Sequence, residues 1–396
     1  MSRENVDILI SGGGLAGLVA AAAFSHAGFS VLLADPAKPI SECQKTDLRS
    51  TAFLQPARDL LDSIGLWVLL RDKATPLETL RIVDTKGWPP EIGETRSFEA
   101  SELGNDPFGW NLPNWLTREA VLKHLTHQPN VALALGTGFH SLLVRDREAI
   151  VTLSDNRRIA ARLVIAADGP NSPVRQAAGI NVKTTRYGQK ALAFSITHDL
   201  PHDNISTEIY NAGGAFTTVP LPDHLGRPAS AIVWMNDGAR ALELAAMPPD
   251  DFNAEMTKRA CGLLGQMTLA TDRAVWPIVT QRALHLTAPR IALIAEAAHV
   301  LPPIGAQGLN TSLHDIAALS ERAKADPEKL GQAEMLSSYA RARERDINLR
   351  ARAIDLFNRV CKSGAPPVQA VRSMGLRTIY DMGPIRKAVM HAGLGA

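Results

Sequence analysis

Cysteine is scarce: Cys43, Cys261 and Cys361 are the only three in 396 residues. They lie far apart, with no C-x-x-C pair and no clustered histidines, so neither a disulfide framework nor a zinc site organises this chain; buried thiols are expected. No apolar stretch reaches the roughly 18 residues that a membrane-spanning helix requires. The opening "MSRENVDILISGGG" lacks the architecture of a signal peptide, which makes the cytoplasm the expected compartment. An excess of charge is missing too: 42 Lys and Arg face 40 Asp and Glu, net +2, which argues against nucleic acid and for a neutral ligand. Finally, G-x-x-x-x-G-K-[ST], G-x-S-x-G and H-E-x-x-H are all absent, excluding the common NTPase, serine-hydrolase and zinc-protease readings.

What is present begins with size. A chain of this length with 45% apolar residues builds either two domains or one large α/β domain with an inserted second layer. The first 35 residues read as strand, turn, helix, strand: "VDILIS", "GGGLAG", the Ala-rich "LVAAAAFSHAG" and "SVLLAD". Gly12, Gly14 and Gly17 form G-x-G-x-x-G directly after the strand, and Asp35 stands 18 residues beyond Gly17 at the end of the second strand. Glycines at that spacing allow a tight turn and close approach of backbone to a pyrophosphate. The helix N-terminus favours its charge, and the acid can accept hydrogen bonds from an adenosine ribose. No second copy exists; "NAGGAF" near Gly213 lacks the third glycine and the Ala-rich helix. One dinucleotide therefore receives a full Rossmann cradle, against the two of a disulfide-reductase flavoprotein.

Further along, the apolar "LVIAA" predicts a buried strand ending at Asp168-Gly169, with Arg175 six residues on. This is either a cleft-facing acid or a plain Asp-Gly turn. The segments "ALAFSITH", "AFTTVPL" and "SAIVWM" predict an antiparallel sheet, a wall for a pocket or a packing layer. After a third buried strand, "PRIALIAEAAH", comes "PPIGAQGLN". The shared face of Leu309, Leu313 and Ile316 starts a helix near Gly308, whose free N–H groups suit an anionic ligand atom. From Arg341 to Ala396 the chain holds 11 Lys and Arg against 4 Asp and Glu, leaving 31 against 36 elsewhere. That basic end, with apolar residues among its arginines, is either a solvated helical face or a surface turned toward lipid headgroups.

Six ordered motifs, "GGGLAG", "DLRSTAF", "LTREAVLKHL", "ADGPNSPVR", "YGQKA" and "AEAAHVLPPIGAQGLN", resemble the single-component FAD-dependent aromatic hydroxylases, the para-hydroxybenzoate hydroxylase class. With "YARARERDINLRARAIDLFNRV" and "VRSMGLR", the chain is most similar to the ubiquinone-biosynthesis subfamily. The resemblance implies an α/β fold: a Rossmann-type FAD-binding domain (1–75, 110–180 and 285–330), an interleaved antiparallel-sheet substrate domain (76–109 and 181–284) and a C-terminal helical region (331–396).

It also implies roles. Gly12, Gly14, Leu15, Ala16 and Gly17 would turn around the FAD pyrophosphate, Asp35 would hold the ribose, and Arg49 and Arg118 would contact phosphates. Asp168 and Gly169 would touch FAD near the nicotinamide path. Pro302, Pro303 and Ile304 would line the flavin edge, with Pro302 and Pro303 adjacent to the ring being hydroxylated. Gly305, Gly308, Leu309 and Asn310 would face the pyrimidine end. The family's usual Gly-Asp is replaced by Ala295-Glu296, so Glu296 would reach the ribityl chain with one extra methylene, at a cost in FAD affinity. His299 is expected to fix the turn, and no metal is implied.

The implied reaction uses NAD(P)H and O2, through a flavin C4a-hydroperoxide, to hydroxylate a hydrophobic aromatic substrate, a polyprenylated phenol. No dedicated protein base is visible in the sequence. Other ubiquinone-biosynthesis proteins and peripheral contact with the inner membrane through the basic C-terminal region are implied partners. The competing readings are a hydroxylase of a small soluble aromatic and a non-catalytic flavin-binding member of a biosynthetic complex.

Overall fold

The computed structural model describes residues 3–38 and 49–394; Cys43 and the start of "DLRSTAF" lie outside the described residues. Ile8, Leu9 and Ile10 are all fully buried. Continuous burial of this kind marks a parallel strand covered on both faces. The strand Arg3–Ser11 pairs in parallel with Val31–Asp35 on one side and Arg158–Ala166 on the other. Val131–Leu135 and Ile291–Leu293 extend the parallel sheet outward. Small side chains at Ala20 to Ala23 are buried, so the Leu15–His26 helix lies close on this sheet, against the Gln307–Ala325 helix.

A nine-stranded sheet forms the second layer. Its long strand Val182–His198 pairs antiparallel with Arg227–Asp237 and Ala274–Ala283, and Gly214–His224 joins beyond, next to Ile205–Asn211. The three segments expected to form an antiparallel sheet do so, and the sheet extends beyond them through one parallel pair, Ile205–Asn211 with Thr79–Lys86. That strand arrives from a distant part of the chain and need not obey hairpin geometry. One face of the sheet packs Phe194, Phe216 and Trp234 under the helices Gly238–Ala246 and Pro249–Arg259. The opposite face receives Leu301, Ile304 and the long C-terminal helix. A three-stranded sheet of Ser50–Leu54, Gly109–Pro113 and Thr75–Leu77 straddles the boundaries expected at 75/76 and 109/110.

The basic end is helical: Ala333–Lys362, then Pro366–Asp381, then Gly383–Leu394. The break falls where Pro366 and Pro367 can only start a helix, not continue one. The first of these helices bridges both layers. Near its start Tyr339 donates to the Leu293 carbonyl (2.8 Å) and Arg343 to Asp315 (2.8 Å). Toward its end Asn358 donates to Gln189 (3.0 Å), Tyr187 donates to Asp355 (2.5 Å) and Phe357 stacks edge-on against Tyr210.

Candidate active site

The glycine turn is built by contacts only glycine permits. A Cβ on Gly17 would stand 1.9 Å from the Gly12 carbonyl oxygen, and one on Gly12, whose φ is +111°, would stand 2.3 Å from the Ala167 oxygen. Gly14 is different, because a Cβ there would meet no heavy atom within 4 Å. The protein leaves that space open beside an uncapped helix N-terminus, where free N–H groups gather. Asp35 closes the turn, accepting from the Gly13 and Ala37 backbone N–H groups on its two oxygens. Each oxygen keeps a lone pair for a further donor. Arg118 spends its Nε–H on the Gly13 carbonyl (3.2 Å). Arg49 accepts the Asn114 N–H on its carbonyl (3.0 Å) and sets its guanidinium over the ring of Trp276, a residue of the second sheet.

Asp168 sits directly under Gly12. Its Oδ2 accepts from the Ser11 hydroxyl (3.1 Å) and the Val174 N–H (3.3 Å), while Oδ1 is buried without a partner among the described residues. Burial pushes this carboxyl above the usual range, despite the hydrogen bonds that favour its ionised form. An orphaned acceptor beside an open glycine cradle fits a ligand rich in hydroxyls and amide N–H groups, as FAD is. Gly169 follows with φ +85° and free space around it. Buried Arg175 then ties this turn to the next segment, donating to the carbonyls of Pro170 and Ala297 (both 2.8 Å).

Ala295 adopts φ +54°, the left-handed region that a β-carbon disfavours. Its N–H donates to Asp315 (3.1 Å), which also takes a 2.7 Å hydrogen bond from the His299 ring and the Arg343 contact. Asp315 therefore holds the turn, with His299 as its partner. Glu296 is exposed. The strain at Ala295 yields a prediction. Ala295→Gly raises stability by about 1 kcal/mol, read by urea unfolding of the apoprotein, because glycine accepts this φ without penalty; an unchanged or lower midpoint would refute the strain.

The loop Pro302 to Ala306 follows, with Gly305 at φ +60° and Ala306 at +56° delivering the chain into the Gln307–Ala325 helix. The expectation for Asn310 concerned its backbone. Its side chain does more, donating to the carbonyls of Ala52 (2.8 Å) and Ala306 (2.7 Å) and accepting from the Leu54 N–H (3.0 Å), which locks the small sheet to the loop. Gly308 is exposed and Leu309 half-buried at the open helix end. Gln307 donates to the carbonyls of Gly305 (3.0 Å) and Gly393 (2.9 Å) and accepts from Arg350 (2.7 Å), joining the loop to two C-terminal helices.

Leu301 and Ile304 pack against Ala191, Tyr210, Met235 and Ile278 of the large sheet. In the same face lies a group that sequence reasoning missed. Glu208 is buried, accepts from the Tyr210 hydroxyl and from the Gly305 N–H, and burial raises its carboxyl above the ordinary range. Nothing local in "STEIYN" distinguishes it from the polar half of an alternating strand. Only the folded loop, 97 residues away in sequence, makes it an interior acid.

A single glycine-rich Rossmann cradle, with a second, large β-sheet in the same chain, defines a dinucleotide-binding α/β protein. Residues 5–350 match the FAD binding domain family, and the chain belongs to it, among the flavin-dependent monooxygenases. It is 32% identical to ubiquinone hydroxylase UbiL of Rhodospirillum rubrum over 98% of this chain and 89% of that protein. It is also 28% identical to 3-demethoxyubiquinol 3-hydroxylase of Escherichia coli over the full length of both. The fold superposes on p-nitrophenol 4-monooxygenase PnpA of Pseudomonas putida with TM-score 0.82 at 18% identity, covering 100% of this chain and 99% of that one. Among the described residues no helix is long and apolar enough to cross a membrane, and no cluster could hold a metal ion.

Proposed function

We propose that the chain hydroxylates the aromatic ring of a polyprenylated phenol in ubiquinone biosynthesis, with NAD(P)H and O2 as co-substrates and other proteins of that pathway as partners. The observation that carries this reading is the seating of the Leu301–Ile304 segment on the apolar face of the large sheet, beside the cradle. An electron-rich, uncharged ring suits such a wall, and the hydroxylases of ubiquinone precursors among its relatives support the substrate class. Bound FAD supplies the redox chemistry, accepting electrons from NAD(P)H and activating O2 for transfer of one oxygen to a ring carbon.

The remaining work falls to the chain. Gly12, Gly14 and Gly17, with Asp35, Arg49, Arg118, Asp168, Gly169 and Glu296, hold the cofactor's sugar, phosphate and ribityl parts. Open N–H groups at Gly308 and Leu309 face negative charge at the pyrimidine end. Leu301 and Ile304 exclude water, which would otherwise divert reduced cofactor into H2O2. Glu208 is placed to take a phenolic proton through the Tyr210 hydroxyl. The test uses purified protein titrated with FAD, then NAD(P)H, O2 and a short-chain prenylated phenol. Flavin absorbance bands and a product heavier by one oxygen are expected. A protein that takes up no FAD would end the enzyme reading, and oxygenation of unprenylated phenols alone would transfer it to a small soluble aromatic.

A further inference from the structure

Two alanines beside the cofactor site have left-handed backbone, Ala295 at φ +54° and Ala306 at φ +56°. A β-carbon disfavours that region, so each persists only where its neighbours over-determine it. At Ala295 the holding group is Asp315, which takes its N–H (3.1 Å). Ala306 stands at the N-cap of the Gln307–Ala325 helix without a side-chain oxygen to close the turn, so the residues on either side of it must do the holding.

Gln307 is buried and uses its whole amide on this corner. Both Nε2 hydrogens are donated, to the carbonyls of Gly305 (3.0 Å) and Gly393 (2.9 Å), and Oε1 accepts from Arg350 (2.7 Å). Gly305 is thereby gripped at both ends, since its N–H is taken by Glu208 of the large sheet. The Ala306 carbonyl accepts from Asn310 (2.7 Å).

Arg350, the cation in this grip, is fixed in turn. Its Nε donates to Asp346 (2.7 Å) one turn back, Asp346 accepts from Arg343 (2.8 Å), and Arg343 reaches Asp315 (2.8 Å). Asp315, Arg343, Asp346, Arg350 and Gln307 thus form an unbroken chain of donors and acceptors from one left-handed alanine to the neighbours of the other. Its three middle members share one face of the Ala333–Lys362 helix. An i,i+4 pair such as Asp346 with Arg350 adds little by itself. The second arm of the guanidinium is different, because it leaves its own helix for a buried amide, and the planar group sets both bonds at fixed angles.

We infer that Arg350 is a positioning residue for the Pro302 to Ala306 loop. Acting through Gln307, it holds Gly305 and Ala306 left-handed and so aims the first free N–H groups of the following helix, at Gly308 and Leu309, toward the flavin. This rests on the proposed function for where the flavin lies, and not for the grip itself. Negative charge gathers at the pyrimidine end on reduction, so the aim of those groups bears more on reduced than on oxidised FAD.

Arg350→Gln, Gln307→Ala and the double variant test this as a cycle with two readouts. In the apoproteins, hydrogen exchange over residues 301–309 should be at least about tenfold faster than in the wild type for all three, with the strand around Ile8 to Ile10 unchanged. In the loaded proteins, the preference for reduced over oxidised FAD should fall about tenfold, which lowers the two-electron midpoint potential by about 30 mV. The double variant should match Gln307→Ala alone on both readouts, because Arg350 then has nothing to act through. Unchanged exchange in Arg350→Gln would overturn the inference. A further drop in potential on adding Arg350→Gln to Gln307→Ala would also overturn it, since the guanidinium would then act by its own field. Gln307→Ala probes the same contact from its other end if Arg350→Gln unfolds, and wild-type exchange there would be equally fatal. Faster exchange with the potential unmoved in every variant would refute the flavin placement in the proposed function and leave the grip standing.

Discussion

Gly17→Ala is expected to give an apoprotein less stable by about 3 kcal/mol or more that does not take up FAD, whereas Gly14→Ala, three residues away, should melt like the wild type as apoprotein and bind FAD at least about tenfold more weakly. The two glycines look equivalent in the fingerprint and are not. The added methyl at position 17 meets a backbone oxygen at 1.9 Å, far inside contact distance, and a carbonyl buried in the turn cannot rotate away. The strand-to-helix crossing must open, at a cost of about 3 kcal/mol or more. At position 14 the methyl meets nothing of the protein, and the backbone there has ordinary extended angles. Any penalty must come from a ligand lying against it. Urea unfolding of both apoproteins, followed by FAD titration monitored through flavin fluorescence, separates the effects. If Gly14→Ala binds FAD like the wild type, the pyrophosphate does not lie against this turn.

Asp315→Asn is the second large effect, a loss of about 3 kcal/mol or more. The carboxylate is completely buried and receives the Ala295 N–H, the His299 ring and the Arg343 guanidinium. Burial alone would raise its pKa; the His299 ring and Arg343 outweigh burial and hold it below the usual carboxylate range. A group whose pKa is depressed by folding stabilises above its unfolded value and loses that stabilisation as pH falls through the folded one. Wild-type stability should therefore decline below about pH 4. Asp315→Asn, less stable at neutral pH, should lack this part of the decline, and its distorted turn should weaken FAD binding. A neutral-pH unfolding midpoint within error of wild type would remove Asp315 from this role.

The Rossmann half was legible because its signals are local: glycine spacing, an Ala-rich helix and an acid at a strand end each constrain geometry within a few residues. The helical C-terminal region was equally readable from its periodicity and from the prolines that break it. The parallel join between Ile205–Asn211 and Thr79–Lys86 was not, since strand partners more than a hundred residues apart leave no trace in either segment. The same limit hid Asp315, Arg350 and Glu208. Each sits in a stretch where a charged residue would ordinarily be solvent-facing, and its importance arises from the partner that folding brings to it. At 295 the sequence did expose a departure, an alanine in place of the usual glycine. The backbone at Ala295 is left-handed, with its N–H directed to the fixed acceptor at Asp315.

The helix that bridges both layers also constrains how such a protein can be recombined. Its first half belongs by contact to the nucleotide-binding sheet, through Tyr339 and Arg343, and its second half to the large sheet, through Asp355, Phe357 and Asn358. A substrate layer from a relative could not be exchanged as a single inserted segment. Thr79–Lys86 and the end of this helix would have to travel with it as two further, separate grafts, so exchanging that layer requires coordinated changes at three distant places in the gene.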